Sequence, residues 1–328
     1  MAKYHIYGLG AALVDTEIDV TDSDLDTFQI EKGLMTLVDE TRQHQLIENL
    51  KSHLVHSKRA SGGSACNSVV AASSFGANAY YSCKVANDEN GEFYLNDLKQ
   101  SGVDSDFSGD KVDGITGKCL VMITPDAERT MNTFLGVSET LSEADINQAA
   151  LADSEYVYIE GYLVTSDTGR AAAVKARQLA VTNQVKTAIS LSDPGMVQFF
   201  KSGLQEMIGD GVDLLFCNKD EALSWANTQN IDEAIATIKQ VATTFAITLG
   251  AEGAVVFDGH QLHRIKPYAV KAIDTNGAGD MFAGAFIYGI THNMSFAEAG
   301  DLASRAASQV VAGYGPRLSF EAHRTLLA

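Results

Sequence analysis

The run Asp274-Thr275-Asn276-Gly277-Ala278-Gly279-Asp280 sets a carboxylate at the edge of a small-residue segment, directly ahead of the strongly helical Met281-Phe282-Ala283-Gly284-Ala285-Phe286. A helix beginning here aims unpaired backbone N–H groups, and the positive end of its dipole, at one point, which makes an anion site. Glycines let the backbone approach that anion closely. Asp280 then stands beside a phosphate, where a carboxylate is costly unless it accepts a proton or hydrogen bond, as from a substrate hydroxyl. Taken alone, the run serves equally as a glycine-rich turn in which Asp280 caps an ordinary helix.

Three other groups have the types and spacing for chemistry. Gly62 and Gly63, in Ser61-Gly62-Gly63-Ser64-Ala65-Cys66-Asn67, allow a ligand to touch the backbone, and Asn67 one turn later offers both donor and acceptor to a polyhydroxyl group. Asn218-Lys219-Asp220-Glu221 follows the apolar run Val212–Cys217 at once. Asn218 and Glu221 form a capping-box pattern, and the same pair at a sheet edge suits water-coordinated Mg²⁺. Thr248-Leu249-Gly250-Ala251-Glu252-Gly253 reads as a glycine hairpin loop, or as a segment turning Thr248 and the Gly250 N–H toward nucleotide phosphates. Gly8-Leu9-Gly10 lacks the third glycine of a dinucleotide fingerprint, and Gly114-Ile115-Thr116-Gly117-Lys118-Cys119 lacks the P-loop spacing and its Ser/Thr. The eight histidines show no triad or ligand spacing.

The elements that must position these groups alternate. Strands are expected at Ile6–Gly10, Ala79–Val85, Tyr156–Glu160, Thr187–Leu191, Val212–Cys217 and Phe245–Leu249, with helices near Ser64–Ser74, Asn90–Gln100 and Thr168–Thr182. This βαβα order implies an α/β fold with a mainly parallel sheet covered on both faces, and such sheets bind ligands at their strand carboxyl ends. Two segments break the rhythm. Leu13–Val20 alternates strictly, with Val14, Thr16, Ile18 and Val20 on one face and Asp15, Glu17 and Asp19 on the other. Lys118–Leu135 reads as strand, turn, strand about Thr124-Pro125-Asp126-Ala127-Glu128. Both are read as antiparallel-style elements of a small β-sheet lid with one open face, solvated in a monomer or paired in a homodimer. The expected division is residues 1–10, 50–112 and 137–328 in a large nucleotide-binding domain and 11–49 and 113–136 in the lid. Gly8–Gly10, Gly114–Gly117 and Leu135–Gly136 are the expected hinges.

At 328 residues, 45% hydrophobic and 20% charged, the chain can bury a large globular core. A formal charge of −18 argues against a nucleic-acid or acidic-membrane partner, since both need clustered Lys and Arg. The cysteines Cys66, Cys83, Cys119 and Cys217 have neither C-x-x-C nor zinc spacing and read as free thiols in a reducing compartment. Acidic residues at Asp15 and Glu17 interrupt any signal-peptide core, and no run reaches the roughly 18 apolar residues of a membrane span. The cytoplasm is the expected location.

Taken together and in this order, Gly62-Gly63 with Asn67, Asn218 with Glu221, Thr248 to Gly253, and Asp274 to Asp280 resemble the ribokinase (PfkB) family of sugar and nucleoside kinases over essentially the whole chain. The resemblance implies a three-layer α/β/α sandwich with a lid, and ATP-dependent transfer of the γ-phosphoryl group to a primary alcohol. Asp280 matches the family's catalytic base, with the backbone of Asn276, Gly277, Ala278 and Gly279 as its anion hole. Asp15 matches the lid carboxylate that binds two sugar hydroxyls, and Gly63 and Asn67 match further sugar contacts. ATP and Mg²⁺ are implied, with Glu221 holding the metal through water, and Asp274 with the turn Gly313–Gly315 as a place for a monovalent cation such as K⁺. The run Arg129 to Gly136, with Leu141–Asp145 and Ser190–Pro194, looks closer to the adenosine-kinase branch than to fructokinases. Met35, Leu37, Met131 and Phe134 are then expected to wall an apolar base pocket, and a free-sugar kinase is the alternative. Loss of Asp280 or the glycines would mark a non-catalytic binding protein, and both are intact.

Overall fold

The computed structural model describes residues 2–53, 60–107 and 111–328; the domain assignments of residues 1, 54–59 and 108–110 lie outside the described residues. The strands are β1 (Tyr4–Leu9), β2 (Leu13–Asp19), β3 (Met35–Leu37), β4 (Ala60–Gly62), β5 (Ala79–Ser82), β6 (Val103–Asp104), β7 (Thr116–Ile123) and β8 (Arg129–Gly136). They continue with β9 (Ser154–Glu160), β10 (Lys186–Ser190), β11 (Val212–Asn218), β12 (Ala242–Thr248), β13 (Ala254–Phe257) and β14 (Leu262–Ile265). The helices are α1 (Asp22–Thr27), α2 (Glu40–Leu50), α3 (Ser64–Phe75), α4 (Glu89–Gln100), α5 (Gln148–Ala152) and α6 (Asp167–Thr182). After them come α7 (Pro194–Ile208), α8 (Lys219–Ala226), α9 (Ile231–Ile238), α10 (Ala278–Thr291), α11 (Phe296–Val310) and α12 (Phe320–Leu327).

Nine strands form one sheet in the order β14-β13-β12-β11-β10-β9-β1-β5-β6. From β6 to β12 every pairing is parallel, and β13 and β14 add antiparallel strands at one edge. Continuous apolar runs such as Leu214-Leu215-Phe216 bury side chains on both faces, as a covered parallel sheet requires. One face packs against α3, α10 and α11 through residues such as Val69, Phe286 and Leu302, the other against α6 to α9 through Ala176, Leu204, Trp225 and Ile238. The three-layer sandwich expected from the sequence is the observed fold. No helix among the described residues is long and apolar enough to cross a membrane.

The second sheet has the order β3-β8-β7-β2-β4 and departs from expectation in three ways. It is mixed: β2 runs parallel to β7 and β3 parallel to β8, while β7–β8 and β2–β4 are antiparallel. Ala60–Gly62, expected in the large domain, forms β4 of this sheet, because β2 otherwise presents an unpaired edge there. Its outer face is not open. Ile18, Leu120 and Met122 on that face are covered by Leu25 of α1 and Leu46 and Leu50 of α2, so the open face assumed for pairing in a homodimer is filled by the chain itself.

Candidate functional site

The carboxyl ends of the parallel strands and the inner face of the small sheet enclose a cleft of about 850 Å³. On its floor α10 begins at Ala278, with Gly277 as N-cap in the left-handed conformation (φ 73°). A Cβ at Gly277 would lie 2.4 Å from the Pro316 side chain, so glycine is required by both backbone and space. No acceptor among the described residues receives the N–H groups of Gly277, Gly279 or Asp280, and all three residues line the cleft. The Asn276 and Ala278 N–H groups, expected in the same cradle, are instead donated to Asp274 Oδ1 at 2.8 Å and to the Thr275 carbonyl at 3.3 Å. Asn276 also lines the cleft, and its side chain donates to Glu17.

Asp280 does not cap its helix. It occupies the third helical position, and its carboxylate turns away to accept from Ser64 Oγ (2.6 Å) and Asn67 Nδ2 (3.2 Å) at the start of α3. Burial pushes its carboxyl above the usual aspartate range, against Ser64, Asn67 and the charges of Arg129 and Arg317. These side chains favour its ionised form against the desolvation of the site.

On the lid, the period of two decides what faces the cleft. Leu13 and Asp15 of β2 and Arg129, Met131, Thr133 and Leu135 of β8 line it. Asp15 is only 5% exposed although it belongs to the acidic face of β2. That face looks into the molecule, and burial followed by the nearby Glu17 raises the Asp15 carboxyl well above its usual value. Phe134, expected in the substrate pocket, does not line the cleft: its place in the alternation puts it on the α2 side of β8. Leu37 is 42% exposed and outside the cleft as well, while Met35 and Met131 lie within it. Gly63 lines the cleft. Gly62 does not, but a Cβ on it would fall 2.0 Å from Asp15 Oδ2, so it makes room for that carboxylate.

At the sheet edge the capping box of α8 forms as expected: Asn218 Oδ1 accepts from the Glu221 N–H, and Glu221 accepts from the Asn218 N–H and Nδ2. Burial lifts the Glu221 carboxyl to about 7. Thr248, Gly250 and Gly253 line the same end of the cleft, as do Tyr268 of the loop after β14 and Ser304 and Ser308 of α11. Asp274 is fully buried and outside the cleft lining. Its carboxylate accepts from the Asn276 and Gly315 N–H groups, tying two loops together.

Four residues escaped the sequence reading. Arg129 brings a guanidinium into the cleft near Asp280, Asp193 and Tyr162; its signal was an alternation that it shares with Met131. Asp193, the N-cap of α7, uses Oδ1 for the Gly195 N–H and leaves Oδ2 buried with no partner. Glu160, at the end of β9, accepts from the Ala11 and Ala65 N–H groups and is lifted by burial to about 7. Ser64 stands next to the paired glycines, and nothing local distinguishes it from a helix-initiating serine. The lid tip also docks on the floor, since Thr275 donates its N–H (3.2 Å) and hydroxyl (3.0 Å) to the Ala127 carbonyl.

The family model for pfkB family carbohydrate kinases matches residues 33–323. Among solved structures, adenosine kinase from Sinorhizobium meliloti superposes with a TM-score of 0.92 at 34% identity, covering 100% of both chains. Among curated relatives, adenosine kinase of Schizophyllum commune is 25% identical over 98% of this chain and 98% of its own length. Ribokinase of Haemophilus influenzae is 28% identical over 82% of this chain and 86% of its own. The free N–H cradle, the carboxylate beside it and the matched chain length lead to one conclusion: this protein belongs to the pfkB family of carbohydrate kinases and is an ATP-dependent kinase with a hydroxyl group as acceptor.

Proposed function

We propose that the acceptor is a nucleoside of the adenosine type, phosphorylated on its primary 5′-hydroxyl. The observation that carries this reading is the apolar lid surface of Leu13, Met35, Met131 and Leu135 in the same cleft as the buried Asp15. A furanose held by Asp15 and Asn67 leaves that surface for a further flat, apolar group, which flexible methionines accommodate well. A free sugar would leave it wet. The likeness to adenosine kinases supports the nucleoside, and the ribokinase relative keeps the free sugar as the second reading.

In this reading the acceptor hydroxyl lies against Asp280 and in line with the γ-phosphorus of ATP. As the new O–P bond forms, the bond from the γ-phosphorus to the bridging oxygen breaks, ADP leaves with the electron pair, and the proton passes late to Asp280. The Gly277, Gly279 and Asp280 N–H groups and the Arg129 guanidinium face the charge on the transferring oxygens. ATP extends toward Thr248 and Gly250, with its base between the loop holding Tyr268 and the Ser304–Ser308 stretch of α11. Closure of the lid about Gly8–Gly10, Gly114–Gly117 and Leu135–Gly136 excludes water that would hydrolyse ATP.

Mg²⁺ fits the residues present. Asp193 Oδ2 is a buried acceptor without a partner, and Glu221 lies in the same part of the cleft. An ion that keeps several waters and leans on phosphates needs few protein ligands. Asp193 and, through water, Glu221 would hold the ion, which when bound neutralises β- and γ-phosphate charge. A monovalent cation beside Asp274 belongs to the same reading, checked by comparing turnover in K⁺ with that in a bulky organic cation. The deciding experiment is ATP consumption with adenosine, inosine, ribose, fructose and 2-keto-3-deoxygluconate. Adenosine is expected to be the best acceptor; turnover of free sugars with none on nucleosides would overturn the assignment.

A further inference from the structure

Arg317 lies in the loop before α12 and does not line the cleft, yet it is the hub of a network that ends on Asp280. Its guanidinium makes a 2.8 Å ion pair with Asp97 of α4 and donates to the carbonyl and hydroxyl oxygens of Ser61 on β4. Asp97 in turn accepts from the Ser61 N–H and hydroxyl. The remaining edge of the guanidinium, Nε, donates to Asn67 Oδ1 at 3.4 Å. Arginine has donors only, so the atom of Asn67 facing it is the carbonyl oxygen, which turns the amide NH₂ toward Asp280 Oδ2. Without Arg317 the buried Asn67 oxygen has no donor among the described residues, and only the Asp280 carboxylate is left to hold the amide with its NH₂ inward.

We propose that Arg317 is a positioning residue for phosphoryl transfer: clamped by Asp97 and Ser61, it fixes the Asn67 amide so that Asn67 orients the Asp280 carboxylate toward the acceptor hydroxyl. This rests on the reading of Asp280 as the general base. The clamp also joins the small sheet, through Ser61, to α3 and α4 of the large layer. Asp280 is faced by Arg129 from β8, Asp15 from β2, Tyr158 and Glu160 from β9, and Tyr162 after β9, in addition to Arg317. Two cations therefore oppose two neighbouring carboxylates, and loss of Arg317 removes one of the two.

The test is the pH dependence of kcat for wild type, R317Q, R317K, D97N and D280N, measured with the acceptor selected by the ATP-consumption screen, alongside ATP KM and thermal melts. R317Q is expected to lower kcat about tenfold or more at neutral pH with ATP KM unchanged. Its acidic limb should move up by about one pH unit, because Asp280 loses a compensating charge. R317K should hold the limb near its wild-type position while kcat stays low, since a lysine keeps the charge but not the fork. D97N keeps the guanidinium charge and removes an anion, so it should lower kcat more weakly than R317Q without raising the acidic limb, and with R317K it carries the test should R317Q not fold. A fall in kcat with the limb unmoved in R317Q, or an unchanged kcat in both R317Q and D97N, overturns the proposal while leaving Asp280 as base. D280N with wild-type turnover overturns the base reading, and Arg317's role with it.

Discussion

The floor and the lid of the cleft are built on different physics. On the floor the functional groups are backbone N–H donors at one helix terminus, and the seven residues from Asp274 to Asp280 carry nearly all of them. On the lid the groups are side chains from separate strands, brought to one face by register: Asp15 of β2 lies opposite Cys119 of β7, which lies opposite Thr133 of β8. A backbone site tolerates changes elsewhere as long as its glycines stay. A register site depends on every strand that pairs within it, since a slip of one residue turns Asp15 outward and Phe134 inward. In the proposed function, phosphate chemistry falls to the half built from one helix terminus and acceptor choice to the half built from strand register.

The contrast is sharpest at Asp280. D280N should cut kcat by about 10² or more with ATP binding retained, read by steady-state kinetics and ligand-induced thermal shift. Near-normal turnover would remove the floor from the chemistry. G277A comes next: a side chain at φ 73° pressed against Pro316 should cost about 1–3 kcal/mol of stability and most of the turnover, seen together in melts and kinetics. The corresponding lid glycine should behave differently. G62A pushes on the Asp15 carboxylate, so acceptor KM should rise about tenfold while ATP KM holds; if both constants move together, the two halves are not separable.

Register itself is tested by neighbours on β8. M131A should raise acceptor KM by about fivefold through lost apolar contact, whereas F134A should leave it unchanged. The reverse pattern would place the alternation out of phase. The smallest effect concerns pH and stability. Burial holds Glu17, Glu160 and Glu221 at about 7, above the ordinary 4.5 expected when unfolded. The folded chain thus binds more protons than the unfolded chain between these values, so stability is fully present below about 4.5 and declines as pH rises through 7. Thermal midpoints should fall from pH 5.5 to pH 8, and a flat or rising profile would show that these carboxylates are not shielded.

The sequence alone determined the parallel layering and the glycine-rich helix start at Asp274–Asp280, because apolar runs, glycine positions and a helix start are local properties of consecutive residues. It also determined that Asp15, Glu17 and Asp19 share a face, since a strand alternates whatever surrounds it. Only the tertiary structure decided that Asp15 and Glu17 of this face are buried, that β4 belongs to the lid, and that α1 and α2 cover the lid's outer side. It alone brought Arg129, Asp193, Ser64 and Arg317 to the cleft or its support, because ion pairs and amide orientations between residues some 200 positions apart leave no periodic trace. In the Asn67–Asp280 hydrogen bond, each partner is legible from its neighbours, and the contact between them exists only once α3 and α10 pack side by side.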